Sequence, residues 1–238
     1  MTPGDRVIVF DTDGTLMDGR VAVLDAVAEA LTATYRHFEL PVPPPDRERI
    51  GLAMGLPASL FFRTAFDPDS VPDDLRDVFV SEFEVKSTRA EVAALRRGGS
   101  QLYAGAGDTL AALQARGFSL ALYSNAAEPY FQTVIEVHGL DRWFTRTLSL
   151  EYAVRRRLAR DKAGMVRHLS RGYGGVVVVG DRIHDIEAGQ EAGAVTVGCR
   201  FGFGDPGELS EADWQIDRLD DLLALPCLHR DDHHEARG

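Results

Sequence analysis

Apolar residues fall into two patterns along this chain. Short apolar runs, most of them containing β-branched residues, read as strands: VIVF at 7–10, SLALYS at 119–124, TLSL at 147–150, VVVVG at 176–180 and AVTVG at 194–198. VIVF and VVVV are apolar without alternation, which suits parallel strands covered on both faces. Between the later runs lie helical patterns at 108–116, 128–138, 162–171 and 183–192. Each is followed by a glycine placed to stop it, Gly117, Gly139, Gly172 and Gly193. Strands and helices that alternate in this way predict an α/β fold, a Rossmann-like doubly wound parallel sheet.

One stretch breaks the alternation. In 21–38 the apolar positions Leu24, Val27, Ala28, Leu31, Tyr35 and Phe38 recur at helical spacing, and after PVPPP further helical pieces cover 56–66 and 75–97. The reading is therefore an α/β core built from 1–17 and 100–228, with an all-helical insert at 18–99 after the first strand. The last ten residues, HRDDHHEARG at 229–238, have the polarity of a disordered tail.

Composition narrows the class of protein. A chain of 238 residues can bury a sizeable core and hold one large domain or a core with a smaller insert. Its formal net charge of −11 makes nucleic acid and anionic membranes poor partners, so an anionic substrate must meet a local cationic site. No apolar stretch approaches the roughly 18 residues of a membrane span, and MTPGDRVIVF lacks the sections of a signal peptide. Cys199 and Cys227 match no metal spacing and read as free thiols in a reducing compartment, which points to a cytoplasmic protein. Among 26 basic residues only Lys86 and Lys162 are lysines, so a lysine here carries more information than an arginine.

In open parallel sheets, ligands bind beyond the carboxyl ends of the strands. That edge gathers Asp11-Thr12-Asp13, Ser124-Asn125, Lys162, and Gly180-Asp181 with Asp185. The carboxylates would repel one another and raise each other's pKa values, a conflict that a hard divalent cation with oxygen ligands, such as Mg²⁺, resolves. An ionised Asp11 can then attack a phosphoryl group to form an aspartyl-phosphate, while Asp13 exchanges acid and base roles at the leaving oxygen and at water. The plainer reading of the same acids is a capped turn.

The remaining candidates carry alternatives. Ser124 suits a hydroxyl that grips phosphoryl oxygens, and Asn125 a backbone donor or turn former, although both residue types also cap helices. A lysine at the helix start at 162 faces an already positive N-terminus, and a role in neutralising Asp11 and a phosphoryl oxygen explains its presence. Arg160 is the alternative cation, and Arg155 to Arg157 read as a solvated loop. Gly180 lets the backbone approach, so Asp181 is the better direct metal ligand. Asp185 binds through water, orients a neighbour, or complements a helix dipole.

These segments carry a resemblance. FDTDGTL is similar to the first motif of the haloacid dehalogenase-like (HAD) superfamily, YSNAA to the second, Lys162 to the third and GDRIHDIEAG to the fourth. The helical insert lies where that family carries a helical cap. LYAGAGDTLAAL at 102–113, VGCRFGFGDPGEL at 197–209 and WQIDRLDDLLAL at 214–225 resemble the phosphoglycolate phosphatase-like branch. The chain departs from that branch at Ala104, where proline is usual, and in lacking a proline after Lys162.

The resemblance implies a Mg²⁺-dependent phosphatase acting on a small phosphorylated metabolite through an aspartyl-phosphate, with phosphoglycolate implied by the branch alone. Its metal ligands would be the carboxylates of Asp11 and Asp181 and the backbone carbonyl of Asp13, with Asp185 beside them. The glycine-rich GLAMGLP at 51–57 sits where capped members place a substrate loop, or else simply joins two helices. Arg47, Arg49, Arg63 or Lys86 could grip a substrate carboxylate or second phosphate, and a cap of this size closes on small molecules. A phosphosugar mutase would keep both aspartates. A phosphonate hydrolase using Lys86 and a dehalogenase are both disfavoured by Asp13. In a non-catalytic binding relative the catalytic positions need not all be filled, as they are here. The sequence leaves oligomeric state open.

Overall fold

The structure, a computed structural model, describes residues 5–229. Of the tail at 229–238, all but His229 lies outside the described residues. In chain order the elements are β1 (Arg6–Phe10), β2 (Met17–Asp18), α1 (Arg20–His37), α2 (Arg47–Ala53), α3 (Ala58–Thr64), α4 (Arg76–Arg96), β3 (Gln101–Leu102), α5 (Ala106–Ala115) and β4 (Ser119–Ser124). They continue with α6 (Glu128–His138), β5 (Arg146–Ser149), α7 (Leu150–Arg155), α8 (Lys162–Leu169), β6 (Gly175–Gly180), α9 (Ile183–Glu191), β7 (Val195–Cys199) and β8 (Trp214–Ile216). Two compact units result: Gly19–Gln101 with Asn125–His138 form one, and the remaining segments form the other.

The α/β unit is built on a six-stranded sheet in the order β5-β4-β1-β6-β7-β8, parallel throughout. A separate two-stranded sheet pairs β2 with β3. β1 is central, with Val7 opposite Ser119 and Val176 and Phe10 opposite Leu122 and Val179. Val7 and Val9 pack into a cluster with Met165, Val166 and Leu169 of α8 and Ala188 of α9. Successive residues of a strand point to opposite faces, and Phe10 turns the other way, edge-on to Phe144 with ring centroids 5.9 Å apart. All four residues of VIVF are buried, so the absence of alternation has a direct cause: neither face of this strand meets water.

Differences from the pattern reading are local. β5 stops at Ser149, whose hydroxyl accepts the Tyr152 N–H (3.2 Å) and caps α7, so Leu150 is already helical. α7 is six residues long, and two of the three residues of β8 are exposed; neither leaves a periodic apolar signal. α8 ends at Leu169 and α9 at Glu191, one or two residues before the stretches read from sequence.

In the helical unit α1 packs along α4, and α4 along α6. Its core is aromatic: the Phe79 ring meets Tyr35 at 4.9 Å, Phe66 at 5.1 Å and Phe38 at 5.7 Å between centroids, and Phe83 meets Phe62 at 5.4 Å. The Arg96–Glu136 ion pair (3.2 Å) and the Ser100–His138 hydrogen bond (2.8 Å) fasten α6 here, so the unit extends beyond the 18–99 insert. The glycine-rich 51–57 stretch is a loop only in its second half. Asp46 caps α2 by accepting the Arg49 N–H (2.9 Å), and Gly51 lies within that helix. Among the described residues, no helix is long and apolar enough to cross a membrane.

Candidate active site

The site begins where β1 runs out. The Asp11 N–H donates to the Val179 carbonyl (2.9 Å), which continues the ladder for one residue and carries the side chain to the carboxyl edge of the sheet. The chain then turns. The Thr12 carbonyl accepts the N–H groups of Leu16 (2.9 Å) and Met17 (3.2 Å), and the Thr12 hydroxyl donates to the Tyr123 carbonyl (2.9 Å), tying the turn to β4. Asp13 is half-buried, and its backbone bridges to Met17. Gly14 has φ +80°, and a Cβ there would stand 2.2 Å from Asp181 Oδ2. Glycine is therefore required twice over, by conformation and by space. Next to it the Thr15 hydroxyl donates to Asp181 Oδ1 (3.0 Å).

β6 delivers the second pair of acids. Asp181 and Asp185 are fully buried. A Cβ on Gly180 would lie 2.1 Å from Asp185 Cγ, so the bareness of that position makes room for the Asp185 carboxylate rather than for a ligand of Asp181. Asp185 Oδ2 accepts the Arg182 N–H (3.1 Å) at the start of α9. Its Oδ1 accepts from the Tyr123 hydroxyl (2.6 Å) and from Lys162 Nζ (2.7 Å).

Lys162 opens α8, which Asp161 caps by accepting the Gly164 N–H (2.6 Å). From there Nζ reaches Asp11 Oδ1 at 2.8 Å as well as Asp185, and it lies 4.9 Å from the Tyr123 ring centroid. Two carboxylates and an aromatic face outweigh the unfavourable helix terminus. Arg160 is exposed, and Arg155 and Arg156 lie over the Tyr152 ring at 5.4 and 5.5 Å.

Carboxylate oxygens of Asp11, Asp181 and Asp185 all lie within 4.8 Å of one another. Burial pushes the Asp11 carboxyl well above its ordinary value; Lys162 opposes this, and Asp185 and Asp181 add to it. Asp181 is pushed up to about 7 by burial and by Asp185, against the Phe203 N–H, Lys162 and Thr15. Burial works to lower Lys162, but Asp11 and Asp185 prevail and raise it, so the ammonium stays charged. Three buried carboxyl groups share one ammonium, and the donors they offer are all oxygens. That donor set fits a hard divalent cation, and Asp11, Asp181 and Asp185 are the side chains that could hold it.

Ser124 ends β4, is buried, and pairs in register with Ser149. Asn125 belongs to the helical unit. Its side-chain amide donates to the Gly55 carbonyl (2.9 Å) and its backbone carbonyl accepts the Ala58 N–H (3.2 Å), which fixes the turn between α2 and α3. Every cation considered for substrate recognition has an acidic partner in that unit: Arg47 has Asp25, Arg49 has Asp46 (3.8 Å), Arg63 has Asp77 (2.8 Å) and Lys86 has Glu82.

Two contributors escaped the sequence reading. Tyr123 has a visible signal, a hydroxyl in an otherwise apolar buried strand, where such a group needs a partner. The Phe203 N–H, which donates to Asp181 Oδ2 at 2.7 Å, is a backbone group and has no side-chain signature.

Comparison with known proteins gives the family. The family model for haloacid dehalogenase-like hydrolases matches residues 6–193. The chain is 28% identical over 256 residues to the phosphoglycolate phosphatase of Shigella boydii serotype 4 (strain Sb227), covering 98% of this chain and 97% of that one. It is 27% identical over 257 residues to the phosphoglycolate phosphatase of Escherichia coli (strain K12), with the same coverage. Among solved structures, a haloacid dehalogenase-like family protein from Streptococcus pneumoniae superposes with a TM-score of 0.71 at 20% identity, covering 92% of this chain and 96% of that one. With its parallel sheet and the family model matched over most of its length, the chain belongs to the haloacid dehalogenase-like hydrolases.

Proposed function

We propose that this chain is a Mg²⁺-dependent phosphatase that hydrolyses a small phosphorylated metabolite, with phosphoglycolate the leading candidate, through an aspartyl-phosphate on Asp11. The chain is a phosphoric monoester hydrolase by its family and its relatives. The observation that carries the finer reading is the Lys162–Asp11 contact at 2.8 Å inside a buried cluster in which three carboxyl groups share that one ammonium. The names of the relatives at 27–28% identity support the substrate.

The reaction follows from the residue types. A carboxylate oxygen of Asp11 attacks phosphorus and the bond to the leaving oxygen breaks, while Asp13 gives that oxygen a proton. In the second half Asp13 takes a proton from water, the water oxygen attacks phosphorus, and the Asp11 carboxylate leaves with inorganic phosphate as product. Lys162 favours the ionised form of Asp11 against the burial that opposes it and faces charge on the phosphoryl oxygens, and the Ser124 hydroxyl with neighbouring N–H groups grips those oxygens. Asp11 and Asp181 through their carboxylates, and Asp13 through its carbonyl, would hold the cation, with Asp185 behind them. When bound, the cation neutralises phosphoryl charge that the acidic nest would otherwise repel. Cys199 and Cys227 are free thiols, which supports a reducing, cytoplasmic setting.

The test is turnover of p-nitrophenyl phosphate and then of a panel of phosphorylated metabolites, with Mg²⁺ or with EDTA. Metal-dependent release of phosphate, highest with phosphoglycolate, is the expected result. Activity unchanged by EDTA, or none with any phosphoester, overturns the proposal.

A further inference from the structure

The segment after β7, Arg200-Phe201-Gly202-Phe203-Gly204-Asp205, closes over Asp181 with backbone alone. The Phe203 N–H donates to Asp181 Oδ2 at 2.7 Å. A Cβ on Gly202 would stand 2.2 Å from Asp181 Cβ and 2.5 Å from the Gly14 carbonyl, and one on Gly204 would stand 2.1 Å from the Asp181 carbonyl. No side chain larger than hydrogen fits at either position without moving Asp181. The bond from Phe203 is one of the interactions that keep the Asp181 carboxyl from rising further, and it depends on where the loop lies.

Two fastenings hold the loop. At its start the Phe201 ring packs edge-on to Tyr103, with centroids 4.8 Å apart. At its end stands Glu208, which the reaction does not use. Glu208 Oε2 accepts from the Ile183 N–H (3.0 Å) and from Arg182 Nε (2.9 Å), and Oε1 accepts from the Asp205 N–H (3.2 Å). Arg182 and Ile183 are the two residues directly after Asp181, and Asp205 is the residue directly after Gly204. A single carboxylate therefore clips the far end of the loop to the backbone that carries Asp181. Charge-assisted bonds of this kind are short and directional, and three converge on one group.

We infer that Glu208 is a positioning residue for Asp181: by clipping residues 182–183 to residue 205 it keeps the Phe203 N–H on Asp181 Oδ2 and sets the orientation in which Asp181 meets its cation. The inference rests on the proposed cation-binding role of Asp181. A purely structural Glu208, serving only to complement the start of α9, would alter stability and leave metal affinity alone.

The test uses the full chain and Mg²⁺ alone as the probe, with binding followed by isothermal titration calorimetry next to steady-state kinetics. Glu208→Ala is expected to weaken Mg²⁺ binding about tenfold, at the low end for partners that orient metal ligands. The Mg²⁺ concentration for half-maximal activity should rise in step, while KM for substrate at saturating Mg²⁺ stays within about twofold. Glu208→Gln keeps an oxygen acceptor for the Ile183 N–H while losing the charge, and should weaken binding by only about threefold. Wild-type Mg²⁺ affinity in folded Glu208→Ala overturns the inference, even if its melting temperature falls. Should that variant fail to fold, wild-type affinity in Glu208→Gln overturns it equally. A wild-type chain that binds no Mg²⁺ defeats the cation reading itself, an outcome distinct from either.

Discussion

Lys162 Nζ stands 2.8 Å from Asp11 Oδ1 and brings an ammonium from the first residue of α8 to the carboxylate beyond the end of β1. The two residues are 151 positions apart in sequence and both are buried. Removing the lysine leaves Asp11 and Asp185 facing each other with no cation between them. Lys162→Ala is expected to lose about 3–5 kcal/mol of stability, as buried pairs do when one partner is deleted. Its kcat should fall by on the order of a thousandfold or more, since the proposed nucleophile loses its counter-charge. Lys162→Arg should recover little, because a planar fork does not replace a point charge shared by two carboxylates. Urea denaturation and steady-state kinetics on the three proteins check this, and a Lys162→Ala enzyme with near wild-type kcat would refute the role given to the ammonium.

Asp11→Asn separates chemistry from folding. The amide keeps the shape of the carboxylate and removes the proposed nucleophile, so turnover should be abolished and no acid-stable phosphate label should remain on the protein after quenching. Burial disfavours the ionised form of Asp11 in the folded chain, so the metal-free variant should melt no lower than metal-free wild type at pH 8. Differential scanning fluorimetry with quenched labelling tests both halves, and appreciable residual phosphatase activity would remove Asp11 from the mechanism.

The acidic nest also fixes how stability should respond to pH. Asp181 sits at about 7 in the folded protein against an ordinary value of 3.8, so the folded state holds its proton more tightly than the unfolded state does. Its contribution is complete below about pH 4 and is lost as pH rises towards 7. In EDTA the melting temperature should therefore decline between pH 5 and pH 8, and Mg²⁺ should raise it more at pH 8 than at pH 5.5. Thermal melts at the two pH values with and without Mg²⁺ decide this. An equal Mg²⁺ shift at both would mean that the cation does not meet the Asp11–Asp181–Asp185 cluster.

A last prediction lies away from the chemistry. Arg157, just past the end of α7, has φ +57°, and the Leu158 N–H returns to the Ala153 carbonyl (2.8 Å) in the manner of a glycine-terminated helix. Its side chain is exposed. Arg157→Gly should stabilise the chain by about 0.5–1 kcal/mol by removing the left-handed penalty, with kcat and KM unchanged. A lower urea midpoint in the variant would contradict it.

Much of this architecture could be read from the residues, and what escaped had identifiable causes. β4 and α6 were legible to the residue because a short apolar run and a 3.6-residue pattern each met a clear boundary. Asp11, Asp181 and Lys162 converge because strand ends in a parallel sheet share one edge, so the order of motifs already implied proximity. The unit to which α6 belongs was hidden, since its contacts are with α4, forty residues upstream, and no local pattern encodes them. Asn125 follows Ser124 directly, yet its amide is spent on Gly55, a partner that sequence adjacency does not suggest. Gly180 reads from sequence as a place where the backbone can approach a ligand of Asp181, whereas the neighbour that needs its bareness is Asp185.

Gly14, Gly180, Gly202 and Gly204 come from three distant segments, and each is bare because Asp181 or Asp185 occupies the space a methyl group would need. In a saturation-mutagenesis screen these four positions should behave as a single locus. Alanine at any of them would reproduce the defect of an altered carboxylate, and hits at residues with no functional group would trace the outline of the acidic nest.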